Sequence, residues 1–76
     1  MDKRNWRWVS RDDGEDTVCI WDGKDKPEAF DGIFDALDSF VGVRNAGFLS
    51  LFGIDIQPGQ CVKVEFTAKV IEDGTP

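Results

Sequence analysis

Histidine and tyrosine are missing from this 76-residue chain, and cysteine occurs only at positions 19 and 61. Side chains that move protons near neutral pH, ligate metals or serve as activated nucleophiles are therefore scarce. A reactive cysteine needs an electropositive setting or a neighbouring base, and no histidine is there to act. Cys19 and Cys61 read as reduced thiols used as small apolar residues, and two thiols fall short of the four ligands of a structural zinc site. No catalytic residue, cofactor or metal is expected, and the chain reads as not an enzyme. No apolar run approaches the roughly 20 residues of a membrane span. Two basic residues near the start, Lys3 and Arg4, are followed by no apolar stretch, so a secretory signal is not expected and a cytoplasmic setting is.

What is present is acid and aromatic. Fifteen Asp and Glu oppose nine Lys and Arg, for a net charge of −6, and six Phe with three Trp bring the aromatic share to 12%. An apolar content of 41% is enough for one core and too high for disorder at this charge. One domain over residues 1–76 is expected, with frayed ends at 1–4 and 72–76. The charge is uneven. Lys3, Arg4, Arg7 and Arg11 against Asp2 give residues 1–11 a net of +3, whereas residues 12–60 hold eleven acids against Lys24, Lys26 and Arg44, a net of −8. Such a dipolar surface steers a protein partner and repels nucleic acid over most of the molecule.

Residues 5–11 read as a strand, with Trp6 and Trp8 on one side and Arg7, Val9 and Arg11 on the other. The loop Asp12–Asp16 leads to a second strand, 17–21, apolar on both faces and so expected inside a sheet. Residues 28–43 fit two structures. Phe30, Ile33, Phe34, Leu37 and Val41 recur at helical spacing behind Pro27, with Glu28, Asp31, Asp35 and Asp38 on the remaining arc. Against a helix, Gly32 costs about 1 kcal/mol in its interior, and Asp31-Gly32 is a hairpin signal. A short helix capped by Asn45 and closed by Gly53 is expected over 45–52. Alternation from Val62 to Val70 predicts a half-buried strand over 61–71, behind a turn at 57–60. The fold class expected is α+β, a small domain dominated by an antiparallel sheet with one or two short helices.

Three clusters invite a functional reading. The acidic turn Asp12, Asp13, Glu15, Asp16 lacks the ligand spacing of a calcium loop and reads as solvated. Trp6, Arg7, Trp8 and Arg11 form an aromatic and basic patch that could stack bases or a small ligand, although the acidic body opposes nucleic acid. If 28–38 is helical, Asp31, Asp35 and Asp38 join Glu28 in a row that imitates a phosphate backbone, with Asp12, Asp13 and Asp16 as outlying charges.

Trp8-Val9-Ser10-Arg11-Asp12, Val18-Cys19-Ile20-Trp21 and the stretch from Leu51 to Val64 resemble small uncharacterised proteins encoded in bacteriophages and prophages. Those open with a Trp-x-x-Arg-Asp strand and turn, and end with a Pro-Gly turn into a final strand. The resemblance covers about half of the chain. It implies a bacterial host cytoplasm, a small antiparallel sheet and a middle segment more extended than helical; it carries no activity onto any residue. The expected function is a non-enzymatic accessory protein that binds a host or phage protein, sharpest as an acidic inhibitor of a host nucleic-acid-processing or defence enzyme. The alternative is a structural or assembly component that forms a homo-oligomer through an exposed strand such as 61–71.

Overall fold

In the computed structural model, which describes residues 4–76, the alternating N-terminal residues form β1 (Trp6–Arg11) and β2 (Thr17–Trp21). They pair antiparallel, with Trp8 opposite Trp21 and Ser10 opposite Cys19. There follow β3 (Glu28–Phe30), β4 (Ile33–Asp35), β5 (Phe40–Arg44), α1 (Asn45–Phe52) and β6 (Cys61–Glu65). The main sheet runs β5-β2-β1-β6, antiparallel throughout, and β3–β4 is a separate two-stranded ladder. This is a small α+β domain. The doubly apolar strand β2 is interior, as its composition requires.

The segment 28–43 contains no helix. Asp31 and Gly32 both have positive φ, 54° and 80°, the type I′ pattern whose twist matches that of the flanking strands. The turn is also held from outside. The Asp12 carboxylate accepts the Phe34 N–H (2.9 Å) and the Asp13 N–H donates to the Gly32 carbonyl (2.9 Å). Backbone groups that a helix would have satisfied internally are thus satisfied by the β1–β2 loop.

Two further expectations are corrected. The last strand stops at Glu65 rather than continuing to residue 71. Its neighbour β1 begins at Trp6, which faces Glu65; one further bond, from the Phe66 N–H to the Asn5 carbonyl, follows, and among the described residues the ladder goes no further. The second correction concerns Asn45, which is the first helical residue and not the cap. Arg44 holds the cap position in extended geometry with no side-chain cap bond. The Asn45 amide instead bridges: its Oδ1 accepts the Ile56 N–H (3.1 Å), its Nδ2 donates to Asp55 Oδ1 (2.8 Å), and its backbone N–H reaches the Asp16 carbonyl (2.8 Å). Gly53 does close the helix, at φ 70° with its N–H on the Leu49 carbonyl.

On the helix side of the sheet, Val9, Val18 and Val64 pack with Phe48 and Ile56 into a buried core. Phe48, Phe52 and Phe66 extend it as three mutually contacting rings, centroids 4.9–6.2 Å apart. Arg11 fastens the loops around this core. Its guanidinium donates to the Glu15 carbonyl (2.6 Å) and the Ile56 carbonyl (2.9 Å), and pairs with Asp16 (3.4 Å).

Replacing Asn45 separates bridging from capping. Asn45→Ser, which would keep a cap, should lower stability as much as Asn45→Ala, by about 1–3 kcal/mol for the stranded partners, read as a shift in the urea midpoint.

Candidate interaction surfaces

By register, the sheet face opposite α1 carries Trp6, Trp8 and Ser10 from β1, Cys19 and Trp21 from β2, Phe40 from β5 and Cys61 and Lys63 from β6. Trp21 is buried there, its indole N–H donating to the buried Ser10 hydroxyl at 2.8 Å and its ring 4.8 Å from that of Phe40. Neither partner was legible as a pair in the sequence; only a strand register that sets them side by side reveals it.

Trp6 and Trp8 are half-buried and meet edge to face, centroids 6.5 Å apart. The Lys63 ammonium lies over both rings, at 4.4 and 5.0 Å, with Arg4 at 4.8 Å from Trp6 and Lys26 at 5.9 Å from Trp8. The expected Trp/Arg patch is therefore divided. Arg7 and Arg11 project to the other side, where Arg7 donates to the Arg4 and Trp6 carbonyls and approaches Asp22. Lysines from elsewhere in the chain take their place over the indoles. Each such contact contributes about 0.5–1 kcal/mol at an exposed site, and a stacking base would have to compete with these cations for the rings.

The second surface is the hairpin. Glu28 faces Asp35 and Phe30 faces Ile33 on one side of the ladder, while Ala29 and Phe34 occupy the other. The Phe34 side looks toward the sheet: Pro27, Ala29 and Phe34 line a cleft of about 740 Å³ with Gly59 and Cys61, and Pro27 is buried. The other side is open. Phe30 is 83% exposed, Ile33 58% and Leu37 106%. Asp25, Glu28, Asp35 and Asp38, with one cation, Lys26, join Phe30 and Leu37 around a concavity of about 530 Å³.

The acids singled out from the sequence fall into two groups. Asp12 and Asp16 serve this chain's own loops through carboxylate contacts to Phe34 and Arg11, and Asp13 serves them through its backbone N–H to Gly32, its side chain being exposed. Asp31 forms the hairpin turn, Asp35 accepts the Ala36 N–H at 2.9 Å, and Asp38 lies exposed against Gly23, where any Cβ would collide with its carboxylate. Among the described residues, no group of three or more acidic, Cys or His side chains is arranged to hold a metal ion, and no helix is long and apolar enough to cross a membrane.

Cys19 and Cys61 both face Ser10, one from each side of β1. Two strand spacings put their Cα atoms about 10 Å apart, beyond the ~7 Å reach of a disulfide. Burial raises both thiol pKa values above the ordinary 9.0; the Asp12 charge adds to the rise at Cys19, and Lys26 opposes it at Cys61.

With this geometry in hand, comparison with known proteins finds no matching family model, no matching curated protein and no matching solved structure.

The thiols make the fold sensitive to alkali. A pKa raised on folding stabilises the folded form below the unfolded value and loses that contribution as pH climbs through the folded one. With no tyrosine in the chain, the urea midpoint should fall as pH rises above 9.0, and the Cys19→Ala/Cys61→Ala double variant should flatten that decline. An equal decline in both proteins would assign the effect elsewhere.

Proposed function

We propose that the protein is a non-enzymatic binding module, a phage or prophage accessory protein of the bacterial cytoplasm. Its β3–β4 hairpin docks on a host protein that presents basic residues around an apolar recess. The observation that carries this reading is the outward side of the hairpin, where Phe30, Ile33 and Leu37 stand exposed among acids on an element fastened to the body by its other side. Large apolar side chains gathered on a small domain and rimmed by charge have the anatomy of a recognition site.

The charge pattern selects the partner. Glu28 and Asp35 sit directly opposite one another, and like charges in that relation are destabilising. A lysine or arginine from a partner, placed between them, relieves the repulsion as it binds. Enzymes that process nucleic acid or defend against it carry basic surfaces for their own substrates, so an acidic hairpin with apolar anchors would compete for such a surface. The geometry differs from a helical row of carboxylates. The acids flank a central apolar group, so the apolar anchors supply affinity and the acids supply orientation and rate of encounter. The phage setting comes from the sequence resemblance, the binding chemistry from this surface.

Affinity capture from bacterial lysate, eluted in rising salt and read by mass spectrometry, should return one basic protein released at moderate salt. Phe30→Ser with Leu37→Ser should weaken that capture by at least about tenfold while the fold is retained. Asp31→Asn, Asp35→Asn and Asp38→Asn together should weaken it less and flatten its salt dependence. Retention of the partner at parental affinity by the Phe30/Leu37 variant would overturn the hairpin as the docking element.

A further inference from the structure

The main sheet has two edges, and they differ. β6 places Lys63 and Glu65 along its length, charges of the kind that discourage strand addition. β5 reads Phe40-Val41-Gly42-Val43-Arg44, with no lysine, no proline and no charge before its last residue. Phe40 is 52% exposed and Val41 63%. Among the described residues no strand lies beyond it.

The hydrogen-bond parity of this edge is fixed by the pairing behind it. The Asp22 N–H donates to the Ser39 carbonyl (3.0 Å) and the Asn45 N–H to the Asp16 carbonyl (2.8 Å). Both pairs belong to the β2–β5 register in which Ile20 faces Val41 and Val18 faces Val43. In an antiparallel ladder bonded and non-bonded pairs alternate. Ser39, Val41, Val43 and Asn45 therefore turn their backbone groups toward β2, and Phe40, Gly42 and Arg44 turn theirs outward.

We propose that the protein pairs with a second copy of itself along β5, antiparallel about a two-fold axis at Gly42. In that register Gly42 faces Gly42 of the second copy, Val41 faces Val43, and Phe40 faces Arg44. Every outward backbone group on one strand then meets an outward group on the other, as an isologous interface demands. The Arg44 carbonyl is already committed to the first turn of α1, which leaves roughly four interchain hydrogen bonds. The side chains agree with the backbone. The paired glycines add no bulk at the axis, the valines extend the apolar helix-side face across the interface, and the Arg44 guanidinium meets the Phe40 ring on the side not stacked on Trp21. The product is a continuous sheet twice the width of the one described. The hairpin surface takes no part, so this inference stands apart from the proposed function.

Five residues from each chain make a small interface, and both copies carry a charge of −6. The dimer should be weak, with a dissociation constant on the order of 100 µM. Added salt should strengthen it by screening the repulsion, the reverse of its effect on capture of a basic partner. Amide hydrogen exchange by NMR, in reducing buffer at about 10 µM and about 1 mM, tests the register directly. At the higher concentration the Phe40, Gly42 and Arg44 N–H groups should slow, the Gly42 N–H by about fourfold, while Val41 and Val43 are protected at both. Val41→Lys should abolish the change and keep the protein folded, as judged by the retained protection of the Val43 N–H. A monomer at 1 mM, a dimer whose Gly42 N–H stays fast, or new protection at residues 66–71 instead would each overturn the proposal.

Discussion

The governing constraint is a four-stranded sheet that is apolar on both faces, with a single short helix among the described residues to cover it. β2 creates the problem, since Val18 and Ile20 lie on one side and Cys19 and Trp21 on the other. α1 covers the first face with Phe48 and the loop residue Ile56. The second face is handled by smaller means: the β3–β4 hairpin with Pro27 and Phe34 toward it, an indole satisfied by a serine, and lysine stems laid over tryptophan. Burying an indole N–H without a partner is costly, so the Ser10 hydroxyl is what allows Trp21 to fill that face.

A chain of this length has little core to spare, and its loops are held by polar clamps instead. Arg11 gathers the β1–β2 loop and the segment before β6 around one guanidinium. Asp12, its neighbour, fixes the hairpin through Phe34. Asn45 does the same at the start of the helix. Charges that look surplus in the sequence are thus divided between those that hold the fold and those left for solvent or a partner, and the exposed share is concentrated around the hairpin.

The strands β1, β2 and the start of β6 were legible because each shows a two-residue period against apolar neighbours. The turn at Gly53 was legible from glycine's tolerance of positive φ. Residues 28–43 were ambiguous because the same apolar positions satisfy a helical period and a hairpin broken at Asp31-Gly32; the decision rests with Asp12 and Asp13, more than fifteen residues upstream and invisible to any local window. The over-long final strand has a similar origin. Alternation reports what a segment can do, whereas pairing depends on the length of a neighbour, here β1. At the candidate sites, the acidic residues were visible as composition, but the exposed Phe30, Ile33 and Leu37 were not. Their helical spacing made them look like core.

The placement of β6 against β1 has a consequence for how the protein comes into being. β1 leaves the ribosome well before β6, yet it ends up between β2 and β6. Until residues 61–65 are available, one side of β1 has no ladder and Val9 lacks Val62 opposite it. Contacts of that sequence separation are slow to form. Synthesis therefore delivers an incomplete sheet with its tryptophan strand at the edge, until β6 covers the backbone of β1 and brings Lys63 to join Arg4 and Lys26 over its two indoles.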